Sequence, residues 1–364
     1  MIDWHAAREE VTGYLQDLIR LDTTNPPGNE TAAARYLEEI LRREGFEPML
    51  VESEPGRGNV LATLPGGSEK TLMLLGHTDV VAVEPEQWSH PPFSGALVDG
   101  YVWGRGALDM KNMVAANLMV VLLLKRQGVA LDRDIVFAAT ADEEAGKGDH
   151  GPGWIMDNRP ELWDAPLIIT EGGGSDFSVG DQRFVTCQTG QKGLCRLRLI
   201  ARGTPGHGSM PQSDNAIVKL SKALAGLQGA VLPVHISTSV RKFVEGIAER
   251  RPRGEAETWR QLCDEATCDQ ALAQLPVDEE WRRELEAVLR NTASVTMLQA
   301  GTKINVIPGV ATAWIDGRLA PGQTQESFAA ELRGRIGEEV EIQIDQYTLP
   351  LEADSDTELY RTIS

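Results

Sequence analysis

The sequence has few cysteines and little positive charge, and each shortage excludes a class of protein. Four cysteines in 364 residues, none of them in a C-x-x-C pair, exclude a disulfide scaffold and argue against a zinc site built from thiolates. Lysine and arginine number 35 against 54 aspartates and glutamates, which gives a net charge of -19. A charge of that sign argues against a partner such as nucleic acid or an anionic membrane surface, which would need a basic face.

The sequence also lacks a long hydrophobic run and a basic, apolar leader. Its most apolar stretch, 113–124, is too short to span a bilayer and is interrupted by Asn117. The amino-terminal segment MIDWHAAREEV has neither a basic start nor an apolar signal core. We therefore expect a cytoplasmic protein with no membrane partner.

The sequence does contain enough apolar material for a folded core. Hydrophobic residues make up 41% and charged residues 24% of the chain, close to the values of globular proteins. A length of 364 residues is long for one core and favours two domains.

The first part of the chain has the pattern of an α/β domain. Apolar residues recur at helical spacing over 3–20, and a second helix is predicted from about 31 to 43, ending at Gly45. Four short apolar runs then predict buried strands at 59–64, 71–75, 135–140 and 167–170, with a helix at 110–127. Strands that alternate with helices favour a largely parallel sheet buried on both faces.

The pattern changes after about residue 190. The predicted order becomes strand, helix, strand, strand, helix, strand, which matches a split βαβ domain. The strands are predicted at 194–201, 294–299, 310–319 and 340–344, and the helices at 215–227 and 325–336. A charged, helix-rich insertion at 231–293 interrupts this order.

Three of the predicted strands in the first part end directly in ionisable residues. Ligands bind beyond the carboxyl ends of the strands in open α/β sheets, so side chains at those ends can converge on one point. The candidates are His77 and Asp79 after the second strand, Glu143 and Glu144 after the third, Glu171 after the fourth, and Asp109 just before the helix at 110.

Each of these residues also has a simpler interpretation when it is taken alone. Asp109 could be only the N-cap of the following helix, His77 a structural histidine, and Glu171 a turn residue. Glu143 and Glu144 could be a solvated pair in a loop. The joint pattern favours a site, because independent loops place acids and a histidine at one edge of the sheet.

A divalent metal site suits this set of side chains. Zinc binds imidazole nitrogen and carboxylate oxygen, and a catalytic site leaves one position open for water. A carboxylate can bridge two ions, and Asp109 is the candidate bridge. Asp79 can accept the second ring N–H of His77. Glu143 and Glu144 point in opposite directions if the chain is extended, so one would bind metal and the other would act as general base on metal-bound water.

Five short strings, in order along the chain, carry a resemblance to a known family: LLGHTDVV, GRGALDMKN, TADEEAG, ITEGGG and GTPGHGSMP. In these motifs the sequence resembles the two-metal aminoacylase and carboxypeptidase G family of metallopeptidases, which also contains succinyl-diaminopimelate desuccinylase, acetylornithine deacetylase and related dipeptidases. The segments DTTNPPGNE and GTKINVIPGVATAWIDGRLAPG fit as well. The resemblance therefore spans nearly the whole chain.

The resemblance implies a role for each candidate. His77 and Glu171 would bind the first metal, Asp109 would bridge the two metals, Glu144 would bind the second metal, Asp79 would orient His77, and Glu143 would be the general base.

The resemblance also implies three substrate contacts in the smaller domain. His207 would polarise the scissile carbonyl, and in this family such a histidine often reaches across a dimer into the site of the other subunit. Asn305 and Arg318 would hold the polar end of the substrate. Arg318 would make a bidentate contact with a carboxylate. On the residues alone, His207 could be a loop residue and Arg318 could form a salt bridge on a strand face.

The fold implied is α/β: a zinc-exopeptidase-like catalytic domain with a largely parallel central sheet, and a split βαβ, ferredoxin-like domain for lid closure and dimerisation. We assign 1–188 and 348–364 to the catalytic domain and 189–347 to the lid domain, with the insertion at about 231–293. The resemblance further implies two divalent metal ions, with zinc expected and cobalt or manganese as alternatives, and a homodimer formed through the smaller domain.

The sequence departs from the family at its C-terminal end. The family supplies a last metal-binding histidine from a C-terminal strand and helix, but no histidine follows His235 here. We expect that the sequence is truncated just where a further helix begins, near 359–364. If it is not, one metal lacks a ligand and its affinity falls.

The sequence therefore predicts a metal-dependent amidohydrolase or exopeptidase acting on small N-acyl amino acids or short peptides. A serine hydrolase is disfavoured because no G-x-S-x-G string is present, and an H-E-x-x-H zinc protease is excluded because that string is absent. The alternative from another class is a catalytically impaired homologue that acts as a binding or dimerisation module.

Overall fold

The computed structural model describes three stretches of the chain: 1–145, 148–229 and 231–364. They group into two compact units, Met1–Gly172 and Gly173–Ser364. Residues 173–188 and 348–364, for which the sequence predicts a place in the catalytic domain, lie within the second unit. The assignment of a catalytic part and a lid part remains a prediction.

The first unit contains the strands and helices predicted for it, with small differences in their ends. In chain order its described elements are α1 (Trp4–Arg20), α2 (Glu30–Arg43), β1 (Met49–Glu52), β2 (Gly58–Leu64), β3 (Glu69–His77), β4 (Ala96–Val98), β5 (Tyr101–Trp103), α3 (Lys111–Arg126), β6 (Arg133–Thr140), α4 (Pro152–Asn158) and β7 (Leu167–Ile169). Two short 3-10 helices lie at Pro85–Gln87 and Pro160–Leu162.

The central sheet of the first unit has five strands in the order β1-β2-β6-β3-β7. β3 pairs in parallel with both β6 and β7, whereas β2 runs antiparallel to β1 and β6. Four of the five strands therefore point the same way, and the expectation of an α/β fold with a largely parallel sheet is confirmed. The carboxyl ends of β6, β3 and β7 meet at one edge, which positions the candidate site.

Both faces of this sheet are covered, as the unbroken apolar strands predict. Along β6, Ile135 and Phe137 belong to a core shared with the helices α1, α2 and α3, whereas Val136 and Ala138 belong to a second core that contains Ile155 of α4. Alternate strand residues point to opposite faces, so one short run of apolar residues serves both cores. This double burial fixes the position of the strand and of the loop that follows it.

The second unit contains the remaining elements. They are β8 (Asp176–Val179), β9 (Gln182–Val185), β10 (Gly190–Gln191), β11 (Gly193–Arg202), β12 (Gly206–His207), α5 (Ala216–Leu227), α6 (Thr238–Ala248), α7 (Arg253–Gln261), α8 (Cys268–Gln274), α9 (Glu279–Leu289), β13 (Thr292–Ala300), β14 (Val306–Ile307), β15 (Val310–Leu319), α10 (Gln325–Ile336), β16 (Val340–Thr348), β17 (Leu351–Glu352) and α11 (Glu358–Ile363).

A four-stranded antiparallel sheet in the order β13-β15-β11-β16 forms the centre of the second unit. Phe328 of α10 and Leu220 of α5 are buried against its inner face. From Gly193 to Leu199 the long strand β11 alternates buried and less buried residues, the pattern of a sheet covered on one side. The elements follow the predicted order of strand, helix, strand, strand, helix, strand.

The predicted insertion at 231–293 forms four helices, α6 to α9. They enclose a core of their own around Trp259, which has no exposed surface, and this core also includes Cys268 and Val179. All four cysteines of the chain are free thiols. In the part of the chain that the structure describes, no helix is both long and apolar enough to cross a membrane.

We expect Phe137→Ala to lower the free energy of unfolding by about 3–5 kcal/mol, because it leaves a cavity in the centre of β6. Phe137 has no exposed surface. The control is Val120→Ala on α3, whose side chain is 44% exposed and should cost less than about 0.5 kcal/mol. Urea denaturation followed by circular dichroism measures both, and equal losses in the two variants would contradict the proposed core.

Candidate functional site

His77 is the last residue of β3 and lies beside Thr140, the last residue of β6, in the parallel register of the two strands. Its side chain is 3% exposed. The backbone N–H of Thr78 donates to the carbonyl oxygen of Thr140 at 2.8 Å, so the two chains remain together beyond the sheet. This pairing brings the loop that starts at Ala141 alongside His77.

The two nitrogens of the His77 ring have different surroundings. Nδ1 lies 3.0 Å from the backbone oxygen of Asp79 and 3.3 Å from its Oδ1. Nε2 lies 3.1 Å from Oδ1 of Asp109 and 3.5 Å from Oε1 of Glu171. The nearest partner of Nδ1 is thus the carbonyl rather than the carboxylate that the sequence predicted. Nδ1 is held in place, and Nε2 is directed toward the acidic groups where a metal would bind.

Asp109 does not act as the N-cap of α3. The cap position is Met110, which makes no side-chain capping hydrogen bond. The Asp109 carboxylate instead turns toward His77 and forms a group with His77 and Glu144 whose ligand atoms lie within 4.8 Å of one another. The structure therefore places Asp109 among the candidate ligands.

Glu143 and Glu144 both reach the site, but not from an extended chain. The expectation of extended backbone was wrong: residues 143–145 form a bend and a turn, and Asp142 before them has a φ of 66°. Glu143 groups with His77 and Glu171, whereas Glu144 groups with His77 and Asp109, each set within 4.8 Å. The turn thus gives the two glutamates different neighbours.

Asp79 has no exposed surface. Its carboxylate binds the backbone of the loop that carries Glu143 and Glu144, called here the glutamate loop. Its Oδ1 accepts the N–H of Glu143 at 3.1 Å, and its Oδ2 accepts the N–H of Glu144 at 3.0 Å and Nδ2 of Asn25 at 2.9 Å. Burial works to raise the pKa of Asp79, but His77 and these donors stabilise the carboxylate, and the pKa is lowered overall.

Crowding of carboxylates shapes the electrostatics of the site. Burial, and then the neighbouring charge of Asp109, raise the pKa of Glu144 to about 7. Burial also raises the pKa of Glu143. Burial opposes protonation of His77, yet Asp79 and Glu171 raise its pKa to about 11, and the hydrogen bond from His77 lowers the pKa of Glu171. Without an ion, protons therefore provide part of the positive charge that this cluster needs.

The donor set fits divalent metal. One imidazole nitrogen and four carboxylates lie close together, and their negative charge exceeds what His77 can balance. The two groups of candidate ligands share His77, but one imidazole nitrogen binds a single ion. A second ion on the described residues would therefore depend on carboxylate oxygens. Asp109, close to both His77 and Glu144, is positioned for the bridging role that the sequence predicted.

The three predicted substrate contacts all lie in the second unit. His207 in β12 pairs with Val306 of β14, and the N–H of Gly208 donates to the carbonyl oxygen of Asn305 at 2.9 Å, so the structure brings His207 and Asn305 together. Arg318 lies on β15 and donates from Nε to Oδ1 of Asp316 at 2.8 Å. The salt bridge on a strand face that the sequence left open is therefore present.

The sequence did not predict the buried side chains that hold the site residues in place. Asn25 donates to both Asp79 and Asp142, and Arg57 donates to Asp142. All four are buried. Asn25 lies in the DTTNPPGNE segment that contributed to the family resemblance, which was the one available signal. Charged residues such as Arg57 are ordinarily exposed, and nothing local marks this one as buried.

Comparisons with known proteins agree with the geometry. The family described as Peptidase family M20/M25/M40 matches residues 73–364. Aminoacylase-1 of Sus scrofa is 29% identical over 86% of this chain and 67% of its own length. The N-fatty-acyl-amino acid synthase/hydrolase PM20D1 of Xenopus tropicalis is 29% identical over 91% of this chain and 66% of its own length. Succinyl-diaminopimelate desuccinylase of Paracoccus denitrificans strain Pd 1222 is 34% identical over 59% of this chain and 55% of its own length. The chain spans about two thirds of these curated relatives or less.

Solved structures match along the whole chain. An M20 family metallo-carboxypeptidase, Sso-CP2 from Sulfolobus solfataricus, has a TM-score of 0.65 at 22% identity and covers 100% of this chain and 82% of its own. The Bacillus subtilis YXEP protein, described as a dinuclear metal binding peptidase from the M20 family, has a TM-score of 0.60 at 15% identity over 96% and 77%. At these identities the likeness shows the fold.

We expect the affinity for Zn²⁺ or Co²⁺ to rise with pH, more steeply below about 7 than above it, with release of protons on binding. The pKa of Glu144 is about 7, so below that pH its proton competes with the ion. His77, with a pKa of about 11, must also release a proton to bind. Calorimetric titration in two buffers of different ionisation enthalpy counts the protons. Glu144→Gln should remove the part of the pH dependence centred near 7, and pH-independent affinity would contradict the predicted ligands.

Proposed function

The chain belongs to peptidase family M20/M25/M40, as its motifs predict, and from that premise we propose that it hydrolyses the amide bond of small N-acyl amino acids or short peptides. The observation that carries the proposal is the convergence of His77, Asp109, Glu143, Glu144 and Glu171 at one sheet edge. The names of the relatives, which include an aminoacylase and a desuccinylase, support this substrate class.

In this proposal His77, Asp109, Glu144 and Glu171 would hold two divalent ions, with zinc expected and cobalt or manganese as alternatives. Such ions would polarise the scissile carbonyl and make water acidic enough to lose a proton near neutral pH. The remaining chemistry falls to side chains of this chain.

Glu143 is the proposed general base. Its carboxylate oxygen takes a proton from the attacking water as the water oxygen forms a bond to the amide carbon. The same carboxyl group then gives that proton to the leaving nitrogen as the C–N bond breaks. Burial raises the pKa of Glu143, and a base works best when its pKa lies closer to the working pH.

Asp79 is proposed to keep His77 in the orientation that leaves Nε2 available. Its position beside Nδ1 and its complete burial support this role. A negative charge at that point also makes the imidazole a stronger donor of electrons to a bound ion.

His207, Asn305 and Arg318 are the proposed substrate contacts. The N–H of Ser209 donates to Nδ1 of His207 at 3.2 Å, which favours the tautomer with its proton on Nε2. That tautomer can donate to a carbonyl oxygen that gains negative charge. Arg318 already binds Asp316, so a substrate carboxylate would compete for its guanidinium.

The family resemblance also supports a homodimer formed through the smaller domain, which we include in the proposal. A cytoplasmic location remains a prediction. The rival function, a catalytically impaired binding module, is not favoured, since a module without turnover has no need for the proposed general base Glu143 beside the candidate ligands His77, Asp109, Glu144 and Glu171.

We expect Glu143→Gln to lower kcat on an N-acetyl amino acid by about 10²–10⁴-fold, because the variant cannot accept the proton of the attacking water. Metal content should stay the same, as Glu143 is not a proposed ligand. The matched control is Glu39→Gln on the exposed face of α2, which should leave kcat unchanged. Assays under defined metal, with metal analysis of each variant, make the measurement.

Two results would overturn parts of this proposal. Undiminished turnover by Glu143→Gln with metal bound would reject the general base. If the unaltered protein binds metal but hydrolyses none of a panel of N-acyl amino acids and dipeptides, the binding-module alternative replaces the enzyme.

A further inference from the structure

We propose that Arg57 is a positioning residue for the loop that carries Glu143 and Glu144, and that it acts through Asp142 and Asn25. Its effect on turnover rests on the proposed function, whereas its effect on the loop does not. The inference comes from a buried chain of polar contacts that begins at Glu30 and ends at the backbone of the two glutamates.

Arg57 is held rigidly by Glu30. Its Nε and Nη2 donate to the two carboxylate oxygens of Glu30, each at 2.8 Å. Glu30 has no exposed surface and Arg57 is 6% exposed. A two-pronged contact of this kind fixes the plane of the guanidinium as well as its position. Arg57 can therefore serve as an anchor for a third group.

That third group is Asp142, the residue immediately before Glu143. Nη2 of Arg57 donates to its Oδ1 at 3.0 Å, and the N–H of His150 donates to its Oδ2 at 3.2 Å. Asp142 has a φ of 66°, in the left-handed region that residues other than glycine rarely adopt. This conformation turns the chain. Contacts at both carboxylate oxygens stabilise this turn, and the turn directs Glu143 and Glu144 into the site.

Asn25 connects this anchor to Asp79. Its Nδ2 donates to Oδ1 of Asp142 at 3.0 Å and to Oδ2 of Asp79 at 2.9 Å. Asp79 in turn accepts the amide N–H groups of Glu143 and Glu144. The glutamate loop is thus fixed at its start through Asp142 and along its backbone through Asp79, and Asn25 joins the two attachments.

Charge makes Arg57 necessary to this arrangement. Glu30, Asp142 and Asp79 are all buried carboxylates, and Arg57 forms ion pairs with the first two. Removal of one partner from a buried ion pair leaves an uncompensated charge, which is strongly destabilising. Without the guanidinium, Asp142 and Asp79 would face each other across Asn25 alone, and the loop would shift to separate them.

The backbone around Arg57 is shaped to fit its side chain. A Cβ on Gly28, whose φ is 84°, would lie 2.5 Å from Nε of Arg57, and a Cβ on Gly58 would lie 2.8 Å from Cα of Thr31. Both are closer than real Cβ contacts. Glycine at these two positions lets the 28–31 segment close over the guanidinium, so the burial of Arg57 is a built feature of the fold.

The test compares Arg57→Lys with Arg126→Lys. Arg126 also bridges two glutamates, Glu10 and Glu44, in the same unit, and within the described residues its hydrogen bonds go to these two side chains and not to 141–145. Lysine keeps the charge and loses the two-pronged contact. Hydrogen–deuterium exchange of peptides covering 141–145 reads the amides of Glu143 and Glu144 directly, without metal or substrate.

We expect Arg57→Lys to speed exchange in 141–145 by about tenfold or more relative to the rest of the unit. On an N-acetyl amino acid, kcat should fall about 10- to 100-fold with KM within about twofold. The absorption spectrum of the Co²⁺-loaded protein should also change in Arg57→Lys. Arg126→Lys should alter none of these readouts.

A second variant, Asp142→Asn, guards against a failure of Arg57→Lys to fold. Asparagine tolerates the left-handed backbone as aspartate does, so the turn can form while the ion pair is lost. It should show the same local increase in exchange.

Exchange in 141–145 that stays unchanged in the folded variants, or rises only in step with the whole unit, would overturn the role of Arg57. If the unaltered protein shows no turnover, the proposed function fails, and the exchange data alone decide whether Arg57 positions the loop.

Discussion

The buried carboxylate of Asp79 is the group on which the candidate site depends. On one side it lies beside Nδ1 of His77, and on the other it accepts the amide N–H groups of Glu143 and Glu144. It remains ionised without solvent because hydrogen bonds reach both of its oxygens and outweigh the cost of burial. One group therefore fixes both the ring that would bind metal and the loop that brings the two glutamates.

Parallel pairing explains why residues distant in sequence meet at this group. Because β6, β3 and β7 are neighbours that run the same way, their carboxyl ends share one edge, and the loops after them carry the candidates. The register places His77 opposite Thr140, so the turn after β6 begins beside the ring. The sheet thus brings the ligands together, and the loops only adjust their direction.

The strands and the candidate ligands could be predicted because their signals are local: short apolar runs, and ionisable residues where those runs stop. The network of Arg57 and Asp142 could not, since its members meet only in three dimensions and buried arginine leaves no mark in a sequence. The extended backbone assumed for Glu143 and Glu144 was wrong because Asp142 turns the chain. Arg318 was ambiguous from the sequence, and its contact with Asp316 required the fold.

The charge of the cluster explains why this edge of the sheet suits divalent ions. Without them, burial and the neighbouring charge of Asp109 raise the pKa of Glu144 to about 7, and, against the effect of burial, Asp79 and Glu171 raise that of His77 to about 11. A divalent ion supplies two positive charges at one point and can replace the protons on these groups. Because His77 offers Nε2 to one ion only, a second ion on these residues would depend on the carboxylates of Asp109 and Glu144. Carboxylate oxygen suits harder ions than imidazole does, so a site of carboxylates alone would favour a harder ion than a site that includes His77.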